Sequence, residues 1–117
     1  QKLPILTSFY NLFYRNGKKV IPNNLKLNCL SLAVWFMDDG SKTYSSVYLN
    51  TQQINLDEQI RLIGILKNQF GIEATLNKDK IYYRIRVRSQ SMKRFINLIE
   101  PFVLKEFRYK IPSVMTL

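Results

Sequence analysis

Two groups of side chains in this sequence have types and spacings that could do chemistry. The first is Asp38-Asp39-Gly40, which closes an apolar run beginning at Leu30. If that run is a helix, its terminal carbonyls already carry partial negative charge, so two acids there cost stability instead of adding it. Acids that simply face water, with Gly40 as an ordinary cap, are the plain alternative. A carboxylate beside a terminal carbonyl is otherwise a hard-oxygen site suited to a divalent cation such as Mg²⁺, with Asp39 and Asp38 as candidate ligands. The second group is Tyr82, Arg84, Arg86 and Arg88, the even positions of the stretch Ile81 to Arg88. On a strand they form one outward stripe, while Ile81, Tyr83, Ile85 and Val87 face the other way. A solvated strand face is again the plain alternative. Guanidiniums on one face repel one another, however, and the strand Ile81 to Arg88 contains no acid to neutralise them. Contact with nucleic acid is the better reading, since strands in a major groove can place such side chains on phosphates and guanine edges.

Positioning these groups requires a particular order of elements. Leu3, Leu6, Phe9, Leu12 and Phe13 recur at helical spacing up to Tyr14, Asn16-Gly17 offers a stop, and Lys18-Lys19 reads as a basic turn leading to Ile21-Pro22. Asn23-Asn24 then suits a short capped turn. Leu30 to Asp39 is apolar on almost every side, which implies a helix covered by another protein surface as well as by its own sheet. A hairpin follows over Ser41 to Gln52, with Val47, Leu49 and Thr51 on one face and Tyr48, Asn50 and Gln52 on the other. Leu56, Ile60, Ile63, Leu66 and Phe70 mark the next helix, with Asn55 as N-cap, Asp57 and Glu58 in the first turn and Gly71 at the end. A second hairpin joins Ile72–Leu76 to Ile81–Ser89 around Asn77-Lys78-Asp79-Lys80. Ser91 to Ile99 forms a helix stopped by Glu100-Pro101, with a short helical piece near Phe102 to Phe107. The order α-ββ-α-ββ-α describes an α+β layer with an antiparallel four-stranded sheet and helices on one face. Lys42, Lys78 and Lys80 on the hairpins join Tyr48 and Asn50 as candidate nucleic-acid contacts.

Composition narrows the chemistry. The 117 residues suffice for one domain, and 46% hydrophobic content can bury one core. Eighteen Lys and Arg against eight Asp and Glu give a formal charge of +10, which points to a polyanionic partner. The longest apolar stretches, such as Ile60 to Leu66, fall far short of the ~20 residues a membrane span needs. Cys29 stands alone, so an internal disulfide is excluded, and it suits a small buried hydrophobe. The absence of histidine removes Cys/His zinc sites and a His general base. Catalysis would rest on carboxylates, lysine, water and a hard metal. There is neither a secretory nor a transit signature; the chain begins at Gln1 and reads as a piece of a longer protein. Its preference for Asn, Lys, Ile and Tyr points weakly to an AT-rich genome, such as that of a mitochondrion or another organelle.

The segment Leu32-Ala33-Val34-Trp35-Phe36-Met37-Asp38-Asp39-Gly40 resembles the LAGLIDADG motif of the homing endonucleases, position by position. The flanking blocks Lys18 to Leu25, Leu49-Asn50-Thr51-Gln52 and Tyr109-Lys110-Ile111-Pro112 are similar to the subgroup that includes the yeast mitochondrial omega-intron endonuclease. The resemblance implies an αββαββα repeat whose strands form a saddle on double-stranded DNA. Two motif helices would pack side by side, one acid from each meeting at the scissile phosphates with divalent ions. It further implies that Asp39 is a metal ligand ahead of Asp38, that Lys110 serves this repeat and Lys19 a preceding one, and that Gln52 belongs to the solvent network. Residues 1–25 would then be the tail of a first repeat and 26–117 a complete one. Val34 replaces a small motif residue that allows close helix approach, and Met37 replaces the motif's first acid. With a second motif helix absent, pairing with a copy of itself, a separate half or an N-terminal portion is implied.

Three functions compete. The leading one is an intron-encoded, site-specific DNA endonuclease that hydrolyses phosphodiesters with Mg²⁺. An RNA-binding intron maturase or domesticated factor of the same family keeps the basic sheet without needing the metal site. A protein-interaction module leaves Arg84, Arg86 and Arg88 unexplained.

Overall fold

The computed structural model describes residues 28–112 and the backbone of two short strands before them, β1 (Tyr14–Arg15) and β2 (Lys18–Lys19). These strands pair antiparallel, with Arg15 opposite Lys18. Two expectations are corrected here: Tyr14 ends in a strand instead of a helix, and Lys18-Lys19 is strand instead of turn. The rest of the helix expected from Leu3, and the turn expected at Asn23-Asn24, lie outside the described residues.

Helix α1 (Cys29–Asp39) starts where the Asn28 side chain accepts a hydrogen bond from the Ser31 amide, the usual device for an orphan helix donor. Leu32 to Met37 are all buried, six consecutive residues, so no face of this stretch is left to solvent. Phe36 meets Phe95 edge to face, with ring centroids 5.7 Å apart. Each such side chain contributes about 1.5–3 kcal/mol relative to exposure.

The chain turns directly from α1 into β3 (Gly40–Lys42), which pairs with β4 (Val47–Leu49). Helix α2 (Leu56–Phe70) is capped by Asn55 and closed by Gly71 in the left-handed conformation, φ 70°. Its buried side differs from the expected one: Gln59, Leu62, Leu66 and Phe70 face inward, while Leu56 and Ile60 are exposed. The polar Gln59 is tolerated because its amide is hydrogen-bonded to Thr51 and to the carbonyls of Ile54 and Tyr83.

Strands β5 (Ala74–Asp79) and β6 (Tyr82–Val87) follow and complete an antiparallel sheet of order β3-β4-β6-β5. Their hairpin turns at Lys80-Ile81, with Asp79 opposite Tyr82, later than the polar run Asn77 to Lys80 suggested. Asn77, Lys78 and Asp79 are strand residues, Lys80 takes φ 58°, and Ile81 sits exposed at the tip instead of on the apolar face. A 3-10 turn (Ser89–Ser91), helix α3 (Met92–Ile99) and two further 3-10 turns (Glu100–Phe102 and Lys105–Lys110) end the described chain. Val47, Leu49, Ile85 and Val87 join residues of α1, α2 and α3 in one core. The helices therefore lie on one face of the sheet, and among the described residues no element covers the other. Among the described residues no helix is long and apolar enough to cross a membrane.

Candidate active site and nucleic-acid surface

The site begins at the end of α1. Asp38 and Asp39 are its last residues, both half-buried, and the chain leaves them through Gly40, whose N–H bonds to the Phe36 carbonyl. Gly40 has an ordinary extended backbone, φ −80°, so conformational freedom is not why it is there. Space is the reason: a Cβ would stand 2.5 Å from the Phe36 carbonyl oxygen and 2.6 Å from its ring. The strand can therefore start immediately, which fixes Asp39 against the sheet. The amide of Asn50 completes the attachment by donating to the Asp39 carbonyl at 2.8 Å.

Lys110 reaches the same helix end from the last 3-10 turn. Its Nζ donates to the Met37 carbonyl oxygen at 2.7 Å, satisfying an orphan acceptor of α1. Burial lowers its pKa from the ordinary lysine value, while the charges of Asp38 and Asp39 pull the other way. Lys19 lies in β2, where the structure describes backbone alone.

Beside this end opens a cleft of about 590 Å³ lined by Asp39, Asn50, Thr51, Gln52, Asp79, Lys80 and Tyr82, with others. Gln52 stands in it with its Nε2 donating to Asp79 Oδ2 at 3.2 Å and to Asn50 Oδ1 at 3.4 Å. Asn50 in turn donates to Ser41 Oγ at 3.0 Å. Asp79 is the residue sequence reading missed, because it looked like part of a turn. Only the ladder register brings it across from Tyr82 and onto the cleft.

The register also sorts the cations, since residues directly opposite share a face. Tyr48 and Thr75 flank Arg86, Asn77 faces Arg84, and Asp79 faces Tyr82, all on the open face. Lys78 lies opposite Tyr83, and Lys42 opposite buried Val47, which puts both on the helix side of the sheet. These two lysines, expected beside the arginines, are thus turned away from them. Arg88 follows the end of β6 and is exposed, and Lys80 sits at the hairpin tip. Arg84 lies over the Tyr48 ring, its guanidinium carbon 3.5 Å from the centroid.

The structure thus brings together an acid at a helix end, a sheet face bearing Arg84 and Arg86, and the cleft beside Asp39. A family model described as the LAGLIDADG DNA endonuclease family matches residues 1–95. The chain belongs to this family. Among LAGLIDADG relatives, it is 34% identical to the cytochrome b mRNA maturase bI2 of Debaryomyces hansenii, over 88% of this chain and 41% of that protein. It is 33% identical to a probable intron-encoded endonuclease 1 of Wickerhamomyces canadensis, over 85% of this chain and 47% of that protein. The fold matches the homing endonuclease I-WcaI bound to its DNA recognition sequence, with TM-score 0.80 and 31% identity over 89% of this chain and 50% of that one. The chain spans about half the length of these relatives or less.

As a LAGLIDADG chain it raises the question of a divalent ion. Among the described residues no group of three or more His, Cys, Asp or Glu is placed to enclose a metal. Mg²⁺ does not need one: it keeps several waters and takes one or two carboxylates plus substrate phosphates. Asp39, with Asp38 adjoining, fits that share of its shell.

Proposed function

We infer that this chain is one repeat of a site-specific homing endonuclease that hydrolyses DNA phosphodiesters and gives a double-strand break when paired with a second repeat. The observation that carries this reading is Asp39 lining a cleft at the end of α1, at the edge of an open face bearing Arg84 and Arg86. The likeness to I-WcaI, which is bound to its DNA recognition sequence, supports DNA as the partner.

In this reading the arginine face lies along the duplex and brings a phosphate to the cleft. Asp39, ahead of Asp38, would hold Mg²⁺, which when present stabilises charge on phosphoryl oxygen and makes water a better nucleophile at neutral pH. Gln52, fixed by Asp79 and Asn50, orients solvent beside the phosphate. Lys110 holds positive charge against the negative end of α1, where an incoming phosphate meets it. Lys19 takes the equivalent place for the preceding repeat, with residues 1–25 as that repeat's tail. Water adds to phosphorus as the bond to the leaving sugar oxygen breaks. The second repeat is another copy, a separate half or an N-terminal portion. Intron-encoded relatives and the AT-rich residue usage favour a mitochondrial or other organellar setting.

A second reading, RNA binding without cleavage, is favoured by the cytochrome b mRNA maturases among the relatives. Incubating the chain with and without Mg²⁺ on supercoiled DNA and on intron-containing RNA separates the two. Mg²⁺-dependent DNA cutting supports the nuclease, and tight RNA binding with no cleavage supports the maturase.

A further inference from the structure

The cations of the open face are not held alike. Arg84 leans diagonally across the ladder onto Tyr48, 3.5 Å from ring centroid to guanidinium carbon. Its Nε is buried with no hydrogen-bond partner, and among the described residues Arg84 enters no ion pair. Arg86 makes a long contact of 3.4 Å with Ser89 Oγ, and Arg88 stands exposed beyond the strand.

A buried donor without a partner is costly, so an arginine held this way needs a reason. Stacking fixes the plane of the guanidinium before any ligand arrives, which reduces the freedom lost on binding. A phosphate can also take the fork in bidentate fashion, but its oxygens can be met from several directions, so it demands less of the guanidinium plane. A base edge gains much, because both acceptors must meet the donor fork in one plane. Guanine, with O6 and N7 side by side in the major groove, is the base whose acceptors match an arginine fork.

We propose that Arg84, held by Tyr48, reads a guanine in the major groove, while Arg86 and Arg88 contact phosphates. This assignment rests on the DNA reading above and adds a chemical identity to one position of the target.

Selection of binding sites from a randomised DNA duplex pool tests it, using the full chain and the variants Arg84→Gln, Tyr48→Leu, Tyr48→Phe and Arg86→Gln. The wild-type chain is expected to enrich guanine at one position, and Arg84→Gln to lose roughly 5- to 150-fold of that preference at that position alone. Tyr48→Leu, which removes the ring, should broaden the same position more than Tyr48→Phe, which keeps it. Should Tyr48→Leu fail to fold by circular dichroism, Arg84→Gln, at a half-buried position, still decides the matter. Arg86→Gln should weaken all sequences alike. Retention of the guanine by Arg84→Gln, or its loss in Arg86→Gln instead, would overturn the assignment while leaving DNA binding intact. If the wild-type chain retains no duplex at all, the DNA reading and this assignment fall together.

Discussion

Lys110 Nζ donates a 2.7 Å hydrogen bond to the carbonyl oxygen of Met37, 73 positions earlier and one turn before the Gly40 that starts the sheet. This bond joins the end of the described chain to the helix end that carries Asp39. A lysine there is held by geometry, at some cost in burial.

That cost makes stability depend on pH. The folded chain lowers the Lys110 pKa from 10.5 through desolvation, which outweighs the charges of Asp38 and Asp39. Between the lowered value and 10.5 the unfolded chain binds more protons than the folded one, so this group makes stability rise with pH in that window. Urea denaturation from neutral pH upward should show the wild type gaining relative to Lys110→Met. Equal slopes in the two proteins would mean that burial does not perturb the lysine.

Gly40→Ala should destabilise the chain by about 1–3 kcal/mol, because the new methyl group meets a backbone oxygen as well as a ring. Denaturant midpoints measure this directly. An unchanged midpoint would show that α1 and β3 can separate at little cost, and Asp39 would then be less firmly placed than the geometry indicates.

Gln59→Leu preserves volume but strips Thr51 and the carbonyls of Ile54 and Tyr83 of a partner. Each group left unsatisfied costs about 1–3 kcal/mol. The loss should appear both as a lower melting temperature and as faster amide exchange around the cleft.

The parts legible in the sequence are those with local causes. Alternation placed Tyr48, Asn50 and Gln52 opposite Val47, Leu49 and Thr51, and Asn55 with Gly71 bounded α2. Asp38-Asp39-Gly40 was visible because two acids at a helix end are locally unfavourable. Gln59 was not legible, since periodicity weighs apolar side chains and cannot see which backbone carbonyls await a donor. Asp79 and the orientations of Lys42 and Lys78 depend on ladder register, which a polar run near a turn leaves open by several residues. That Lys110 serves the repeat of Asp39 was implied by family resemblance alone, and its bond to the Met37 carbonyl was not legible, because nothing in its neighbours specifies a partner so far away.

Salt dependence separates the roles of the arginines. If Arg86 contacts a phosphate, Arg86→Gln should reduce the slope of log affinity against log salt by about 1. Affinity measured over a salt series gives that slope, and an unchanged value would remove Arg86 from the phosphate-binding set.

The most direct measurement is DNA cleavage by the wild-type chain and Asp39→Asn, each with Mg²⁺ and with chelator, alongside DNA binding by both. With the chain paired to a second repeat, the expected result is cutting by the wild type in Mg²⁺ alone, with Asp39→Asn still bound to DNA but inactive. Equal cutting by the two proteins, or tight DNA binding by a wild type that cuts with no divalent ion, would contradict the assignment of Asp39 as the metal-holding acid of a nuclease.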